Sequence, residues 1–328
     1  MMFNSVLVPL DGSALAEGIL PHALTISQAF ETKVTFAHVL EPLNATAEAR
    51  VDPLTWQMLK AEGQNYLQQL SARWSEVTQP AETELLEGAA AERIISFAAK
   101  NDCDLIMLSS HGRSGLSDWN ISSIVQKVIM RIFRSVLIVR ASASKPQDSL
   151  QPIEYKRILV PLDGSRRAEG VLPIFPKLIK EDGAEIILAH IVSSPVGFRQ
   201  PPSPADASFI DDFTRRNEQE AREYLEQICD RLCPHASYKV LVSESPPSSL
   251  LELAEETNAD LVIFSAHGRT AANHPYGSMV TEFINYGHAP LLIYQDLPEE
   301  QLRLSVAETN VDLAQGRRGR VLASVPLE

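Results

Sequence analysis

One eight-residue phrase occurs twice in this chain and constrains its architecture more than any other feature. The first copy, VLVPLDGS, covers residues 6–13, and the second copy, ILVPLDGS, covers residues 158–165. Each copy is an apolar run that ends in Asp-Gly-Ser, which is typical of a buried strand followed by a turn and then a helix. A repeat of this kind predicts two similar domains in one chain.

Further segments match in the same order in both halves. KVTFAHVL (33–40) corresponds to AEIILAHIV (184–192), DLIMLSSHGR (104–113) to DLVIFSAHGR (260–269), and SVLIVR (135–140) to PLLIYQ (290–295). The chain has 328 residues, which is more than one hydrophobic core usually organises. We therefore predict a first domain over 1–144, a linker over 145–155, a second domain over 156–296 and a C-terminal extension over 297–328.

Each half alternates nearly continuous apolar runs with helical stretches, which is typical of a parallel sheet covered by helices on both faces. The predicted strands are 3–9, 33–40, about 81–87, 104–109 and 135–140, then 157–161, 184–192, about 237–243, 260–265 and 290–295. The predicted helices are 13–30, 55–74 and 91–100, then about 165–180, 208–232 and 247–258. Pro21 and Pro173 occupy matching positions and predict an interrupted first helix in each half.

The fold class that follows is α/β, with two tandem open five-stranded parallel sheets of the Rossmann-like type. The final strand of each half is apolar and would expose a sheet edge if it stayed unpaired. We therefore expect the halves to pack along these strands about a pseudo-twofold axis, as an intramolecular pseudo-dimer. A further homodimer stays open.

Charge and cysteine content exclude some classes of function. The net charge is −13 and the pI is near 5.1, so the surface repels phosphate backbones and nucleic acid is not an expected partner. Three cysteines, Cys103, Cys229 and Cys233, give no disulfide framework and fit a reducing compartment. No apolar run approaches the ~20 residues that cross a bilayer, so we expect a soluble, cytoplasmic protein without membrane contact.

The chemistry is expected at the carboxyl ends of the strands, where open α/β sheets bind ligands. Asp11 and Ser109 lie at two such ends. The segment SSHGRSGLSDWNISSIVQKVI (109–129) predicts a strand end, a loop of small residues and a helix beginning at Ser122 and Ser123. A helix N-terminus offers unpaired amides to phosphate. On this segment alone, a plain strand-to-helix connection remains an alternative.

The repeated VPLDGS and the spaced SSHGRSG, in two complete copies, resemble the universal stress protein family. The resemblance covers roughly residues 3–141 and 156–296. It implies an open five-stranded α/β fold in each half. Many family members bind ATP through a loop of the form Gly, two residues, Gly, nine residues, Gly, then Ser or Thr.

The resemblance also implies ligand-binding positions. In the first half they are Pro9, Asp11, Val39, Ser109, Gly112, Ser122 and Ser123. In the second half they are Pro161, Asp163, Ile191, Ser265, Gly268, Gly277 and Ser278. Both halves depart from the loop pattern. Serine replaces the first Gly in both halves and also the third Gly in the first half. In the second half, only eight residues, including His274 and Pro275, separate the last two Gly. Because the first loop keeps its full spacing, we expect the first half to bind ATP better.

The function expected from the sequence is that of a stress-response regulatory protein that binds ATP, with or without Mg²⁺, in one or both domains without turnover. No Gly-Lys-Ser/Thr sequence occurs. His111 and His267 lack partners at triad or metal-ligand spacing, so we interpret them as hydrogen-bonding loop residues. His38 and His190 lie inside predicted strands and are interpreted as core residues. No catalytic or metal-binding residue is predicted. Two alternatives stay open: a nucleotide-free scaffold for unidentified protein partners, and a slow Mg²⁺-dependent ATPase.

Overall fold

A computed structural model describes residues 2–42, 52–113, 115, 121–141, 150–179, 183–193, 204–232, 235–268 and 276–296. The strands are β1 Ser5–Pro9, β2 Lys33–Leu40, β3 Glu82–Glu87, β4 Leu105–Ser109, β5 Ser135–Val139, β6 Arg157–Pro161, β7 Glu185–Ser193, β8 Ala236–Ser243, β9 Leu261–Ser265 and β10 Leu291–Tyr294. The helices are α1 Ala14–Glu17, α2 Leu20–Phe30, α3 Pro53–Ser75, α4 Ala90–Lys100, α5 Ser123–Ile129, α6 Phe175–Leu178, α7 Pro204–Leu232, α8 Pro246–Glu256 and α9 Ser278–Tyr286, with a 3₁₀ helix over Ala168–Ile174.

The two predicted sheets are joined into one ten-stranded sheet. Its order is β3-β2-β1-β4-β5-β10-β9-β6-β7-β8, so the strands of each half are parallel and the halves meet at β5 and β10. These two strands pair antiparallel, with Leu291 opposite Ile138, Leu292 opposite Leu137 and Ile293 opposite Val136. The mirror-image strand order and this register confirm the expected packing about a pseudo-twofold axis.

The apolar character of the strands explains the layered core. All five residues of β4, β5 and β9 are buried, because helices cover the sheet on both faces. One core layer packs against α2, α3, α6 and α7, and the other against α4, α5, α8 and α9. No helix in the described ranges is long and apolar enough to cross a bilayer.

The first helix of each half is interrupted, as the prolines predict. In the first half α1 ends at Glu17 and α2 starts again with Pro21 in its first turn. In the second half the 3₁₀ helix contains Pro173, and the short α6 follows it. The other predicted helices lie within two residues of their observed bounds, except that α7 begins four residues before the predicted start at 208.

The end of the linker is bound to the first half. Thr25 Oγ1 donates a 2.7 Å hydrogen bond to the carbonyl of Ile153, and His22 Nδ1 lies 2.7 Å from the hydroxyl of Tyr155. Both His22 and Tyr155 are buried. The remainder of the predicted linker and the C-terminal extension lie outside the described residues, as do Cys233, His274 and Pro275.

Candidate functional crevices

Each half places an aspartate at the carboxyl end of its first strand by the same turn. Gly12 and Gly164 have φ of +79° and +78°, a left-handed conformation that glycine adopts without steric cost. The serine that follows each glycine caps the next helical turn, since Ser13 Oγ accepts from the amide of Ala16 (3.2 Å). Ser165 Oγ accepts from the amide of residue 168 in the same way (3.1 Å). The turn therefore holds each aspartate above the sheet end.

In the first half, the carboxylate of Asp11 is enclosed by donors. Its Oδ1 accepts from the amide (3.0 Å) and the hydroxyl (2.6 Å) of Ser13, and its Oδ2 accepts from the amide of Arg113. The guanidinium of Arg113 also donates to the carbonyl of Asp11 (2.6 Å). Burial alone would raise the pKa of Asp11, but these hydrogen bonds outweigh it and lower the pKa below its usual value.

Each loop retains a glycine next to its aspartate, where a side chain would collide with the carboxylate. A Cβ built on Gly112 would overlap Oδ2 of Asp11, and a Cβ on Gly268 would overlap Oδ2 of Asp163 in the same way. The backbone of each loop therefore lies directly against the carboxylate. This brings Asp11 together with Gly112, and Asp163 with Gly268, as the sequence predicts.

The serines of the first-half loop are used within the protein. The single O–H of Ser109 is shared between the carbonyls of Leu15 (3.0 Å) and His111 (2.9 Å). Ser122 is the N-cap of α5, where its Oγ accepts from the amide of Val125 (3.4 Å). Ser123 is the exposed first residue of α5, and Pro9 and Val39 lie at the carboxyl-end portions of β1 and β2.

The second half holds a cavity of about 490 Å³ at the matching position. Its lining includes Pro161, Asp163, Ile191, Ser265, Gly268, Gly277 and Ser278, which are all seven positions implied for this half. The volume lies within the range of small-molecule sites, about 300–1,000 Å³. The sequence-based expectations thus converge on one crevice at the carboxyl ends of β6, β7 and β9.

The polar groups of this cavity differ from their first-half counterparts. Ser265 is 8% exposed, and its Oγ has no hydrogen-bond partner among the residues that the structure describes, whereas the Oγ of the equivalent Ser109 lies near two carbonyls. Gly277 caps α9 without a side-chain hydrogen bond, and a Cβ on it would meet only the carbonyl oxygen of Ala266, at 3.8 Å. Among the described residues, no side chain caps the amides at the start of α9.

Sequence reasoning missed the apolar wall of the cavity. Pro246, Pro247 and Leu250, at the start of α8, line it together with Phe264 of β9. The Pro-Pro pair at a helix start was a visible signal, because proline is favoured in the first helical turn. The lining also contains His190, which is half-buried and therefore not the core residue that was expected.

The other three histidines considered from the sequence are buried. His38 Nδ1 lies 2.7 Å from the carbonyl of Leu10, and His111 Nδ1 lies 3.1 Å from Ser110 Oγ. His38 is thus a hydrogen-bonded core residue and His111 a hydrogen-bonded loop residue, as expected. His267 is 4% exposed. Within the described residues, no three His, Cys, Asp or Glu side chains form a group that could hold a metal ion.

A second feature missed from the sequence is an acid–arginine pair beside each crevice. Glu17 accepts from Arg73 (2.8 Å) in the first half, and Glu169 lies 3.9 Å from Arg231 in the second. Tyr224 also donates to Glu169 (3.3 Å). The halves could have been aligned on these residues, since the two glutamates follow Asp11 and Asp163 at the same distance. The pairs connect α1 and the 3₁₀ helix to the long helices α3 and α7.

Comparison with known proteins decides the family. A sequence model of the universal stress protein family matches residues 2–140 and, a second time, residues 154–295. The chain belongs to the universal stress protein family. Its two matched segments coincide with the two halves of the ten-stranded sheet.

Individual relatives agree with this assignment. A universal stress protein of Methanocaldococcus jannaschii is 29% identical over 142 residues, which cover 42% of this chain and 83% of that protein. The crystal structure of a universal stress protein from Archaeoglobus fulgidus matches 90% of this chain and 99% of its own, with 16% identity and a TM-score of 0.62. A universal stress protein in complex with cAMP matches 43% of this chain, with 21% identity and a TM-score of 0.34. The match to the Archaeoglobus fulgidus structure shows that the whole two-domain fold has a counterpart among solved structures.

Proposed function

We propose that this protein binds an adenine nucleotide in the crevice of its second half and acts as a regulatory protein without turnover. The observation that carries the proposal is the cavity of about 490 Å³, which collects every ligand position implied for that half. Its apolar wall and its few polar groups have the composition that small-molecule sites share. ATP, with or without Mg²⁺, is the nucleotide that the loop pattern favours.

In the proposed complex, each part of the ligand faces a part of the lining that suits its chemistry. The base lies against Pro246, Pro247 and Ile191, which offer apolar surface on one side of the cavity. The carboxylate of Asp163 accepts from the ribose hydroxyls, as acidic residues do in other nucleotide-binding α/β folds. The phosphates face the start of α9 at Ser278, where backbone amides and the positive end of the helix dipole favour negative charge.

The proposal reverses the expectation that the first half is the better site. In the first half, Ser122 occupies the position of Gly277, and its hydroxyl already caps α5. The hydroxyl of Ser109 is likewise bound to carbonyl oxygens, whereas that of Ser265 has no partner within the described part of the chain. A buried donor without a partner costs about 1–3 kcal/mol, so a ligand that satisfies it gains affinity.

The test uses matched substitutions in the two halves. Gly277 has φ of −68°, so Gly277→Val adds side-chain volume in front of α9 without forcing a left-handed residue. We expect isothermal titration of ATP to show at least a tenfold loss of affinity for Gly277→Val and little change for Ser122→Val. Asp163→Asn and Asp11→Asn form a second pair with the same expectation.

Two results would reject the proposal. If the wild-type protein binds no ATP, ADP or AMP at millimolar concentration, the chain is better explained as a nucleotide-free scaffold. If only the first-half substitutions weaken binding, the protein binds its nucleotide at Asp11 instead.

A further inference from the structure

A side chain of the first half reaches the far end of the helix that starts at the second-half cavity. Arg140 directly follows β5, and its Nη2 donates to the carbonyls of Phe283 (2.7 Å) and Ile284 (3.0 Å) in the last turn of α9. Carbonyls at a helix C-terminus carry the negative end of the dipole; that of Phe283 also accepts from the amide of Gly287 (2.9 Å). A guanidinium is therefore well suited to hold this end of α9.

The opposite end of the same helix forms the wall of the cavity. Gly277, Ser278, Met279 and Val280 line it. Since α9 has nine residues, it extends only about 13 Å, at 1.5 Å per residue. A helix this short moves as one body, so fixing its last turn also fixes its first amides relative to the cavity.

Arg140 is itself held by the first-half loop. The amide of Ser110 donates to the carbonyl of Val139 (2.8 Å), and Ser110 Oγ accepts from the amide of Ala141 (2.9 Å). Ser110 thus binds the residues on both sides of Arg140. Its carbonyl also accepts from Ser122 at the start of α5 (2.8 Å). The first-half loop is therefore connected to α9 by the hydrogen bonds of Ser110 to residues 139 and 141, by the backbone that links these residues to Arg140, and by the hydrogen bonds of Arg140.

The pseudo-symmetric position carries a different side chain. Alignment of SVLIVR with PLLIYQ places Gln295, a neutral residue, opposite Arg140 in the repeat. Burial lowers the pKa of Arg140 to about 10, so its guanidinium is still charged at neutral pH. This charged contact between the halves thus runs from the first half to α9 of the second.

We propose that Arg140 is a positioning residue through which the first half sets the phosphate affinity of the second-half cavity. The inference rests on the proposed nucleotide site, but its structural core, that Arg140 determines the placement of α9, does not require a ligand. Arg140→Met removes the donor and the charge, and Arg140→Lys keeps the charge. Gln295→Met at the equivalent position is the matched control.

The experiment has two measurements. The first measurement is the hydrogen-exchange rate of the peptide covering Ser278–Tyr286 in ligand-free protein, relative to a peptide from α4. We expect this rate to rise at least threefold in Arg140→Met and to return towards the wild-type value in Arg140→Lys. It should be unchanged in Gln295→Met. In titrations, Arg140→Met is expected to weaken ATP binding about tenfold, which corresponds to about 1.4 kcal/mol, and to leave adenosine binding unchanged.

The outcomes separate the two proposals. Unchanged exchange in α9, or an equal rise in α4, overturns the role of Arg140, because it then contributes only to overall stability. Equal losses of ATP and adenosine affinity, or no loss, also overturn it. If wild-type protein binds no nucleotide, the proposed function fails, and the exchange measurement alone decides whether Arg140 positions α9.

Discussion

Leu137 lies directly opposite Leu292 in the antiparallel pair that joins the two halves of the sheet. The two residues occupy equivalent positions in the repeat, and neither is exposed to solvent. The pseudo-twofold axis therefore passes between them. Edge strands of two domains protect each other here, so that neither presents unpaired backbone groups to water.

The first prediction concerns this junction. Leu292→Ala should lower the free energy of unfolding by about 2–5 kcal/mol, because it leaves a cavity where two sheets meet. Leu54→Ala, at a position that is 69% exposed, is the control and should change it by less than about 0.5 kcal/mol. Urea unfolding followed by circular dichroism measures both, and similar values for the two variants would show that the junction contributes little.

A second prediction concerns pH and the linker contact. Burial lowers the pKa of His22 from 6.5 to about 4, so the unfolded chain binds a proton at a higher pH than the folded chain does. The contribution of His22 to the free energy of unfolding is fully present above pH 6.5 and is lost as the pH falls towards 4. Between pH 7.5 and pH 5 the loss is about 2 kcal/mol.

His22→Gln should remove that part of the pH dependence, whatever its effect on stability at pH 7.5. The exposed His235→Gln is the matched control and should retain the wild-type slope. Urea unfolding at several pH values gives the slope, and a wild-type slope in His22→Gln would assign the dependence to other groups.

A third prediction uses the two loop serines that begin the SSHGR and SAHGR segments. Ser109→Ala removes a hydroxyl that is shared between two carbonyls and should cost about 1–3 kcal/mol of stability. Ser265→Ala removes a buried hydroxyl for which the described residues offer no partner, and it should leave stability unchanged or slightly higher. Thermal unfolding of ligand-free protein compares them, and equal destabilisation would mean that Ser265 is satisfied within the fold.

The repeat made most of the fold predictable, because a strand buried on both faces is visible as a continuous apolar run. Strand β2 was predicted to the residue for this reason. The start of α7 was missed because residues 204–207, a proline, two alanines and an aspartate, carry no apolar periodicity, yet proline suits the first helical turn.

The candidate site was less predictable than the fold. Spacing in the loop favoured the first half, but it could not reveal that the hydroxyls of Ser109 and Ser122 form hydrogen bonds within the protein while that of Ser265 has no partner among the described residues. Such hydrogen bonds depend on where a distant residue, here Leu15, places its carbonyl. The contact from Arg140 to α9 was equally invisible, since it joins residues 143 positions apart in the chain.

Photo-crosslinking with 8-azido-ATP shows whether the second-half crevice binds an adenine nucleotide. We expect label in peptides from 157–193 and 246–280, prevention of labelling by excess unlabelled ATP, and loss of labelling in Gly277→Val. Label confined to peptides from 5–40 and 105–129, or label that ATP does not displace, would mean that the second-half crevice is not the nucleotide site.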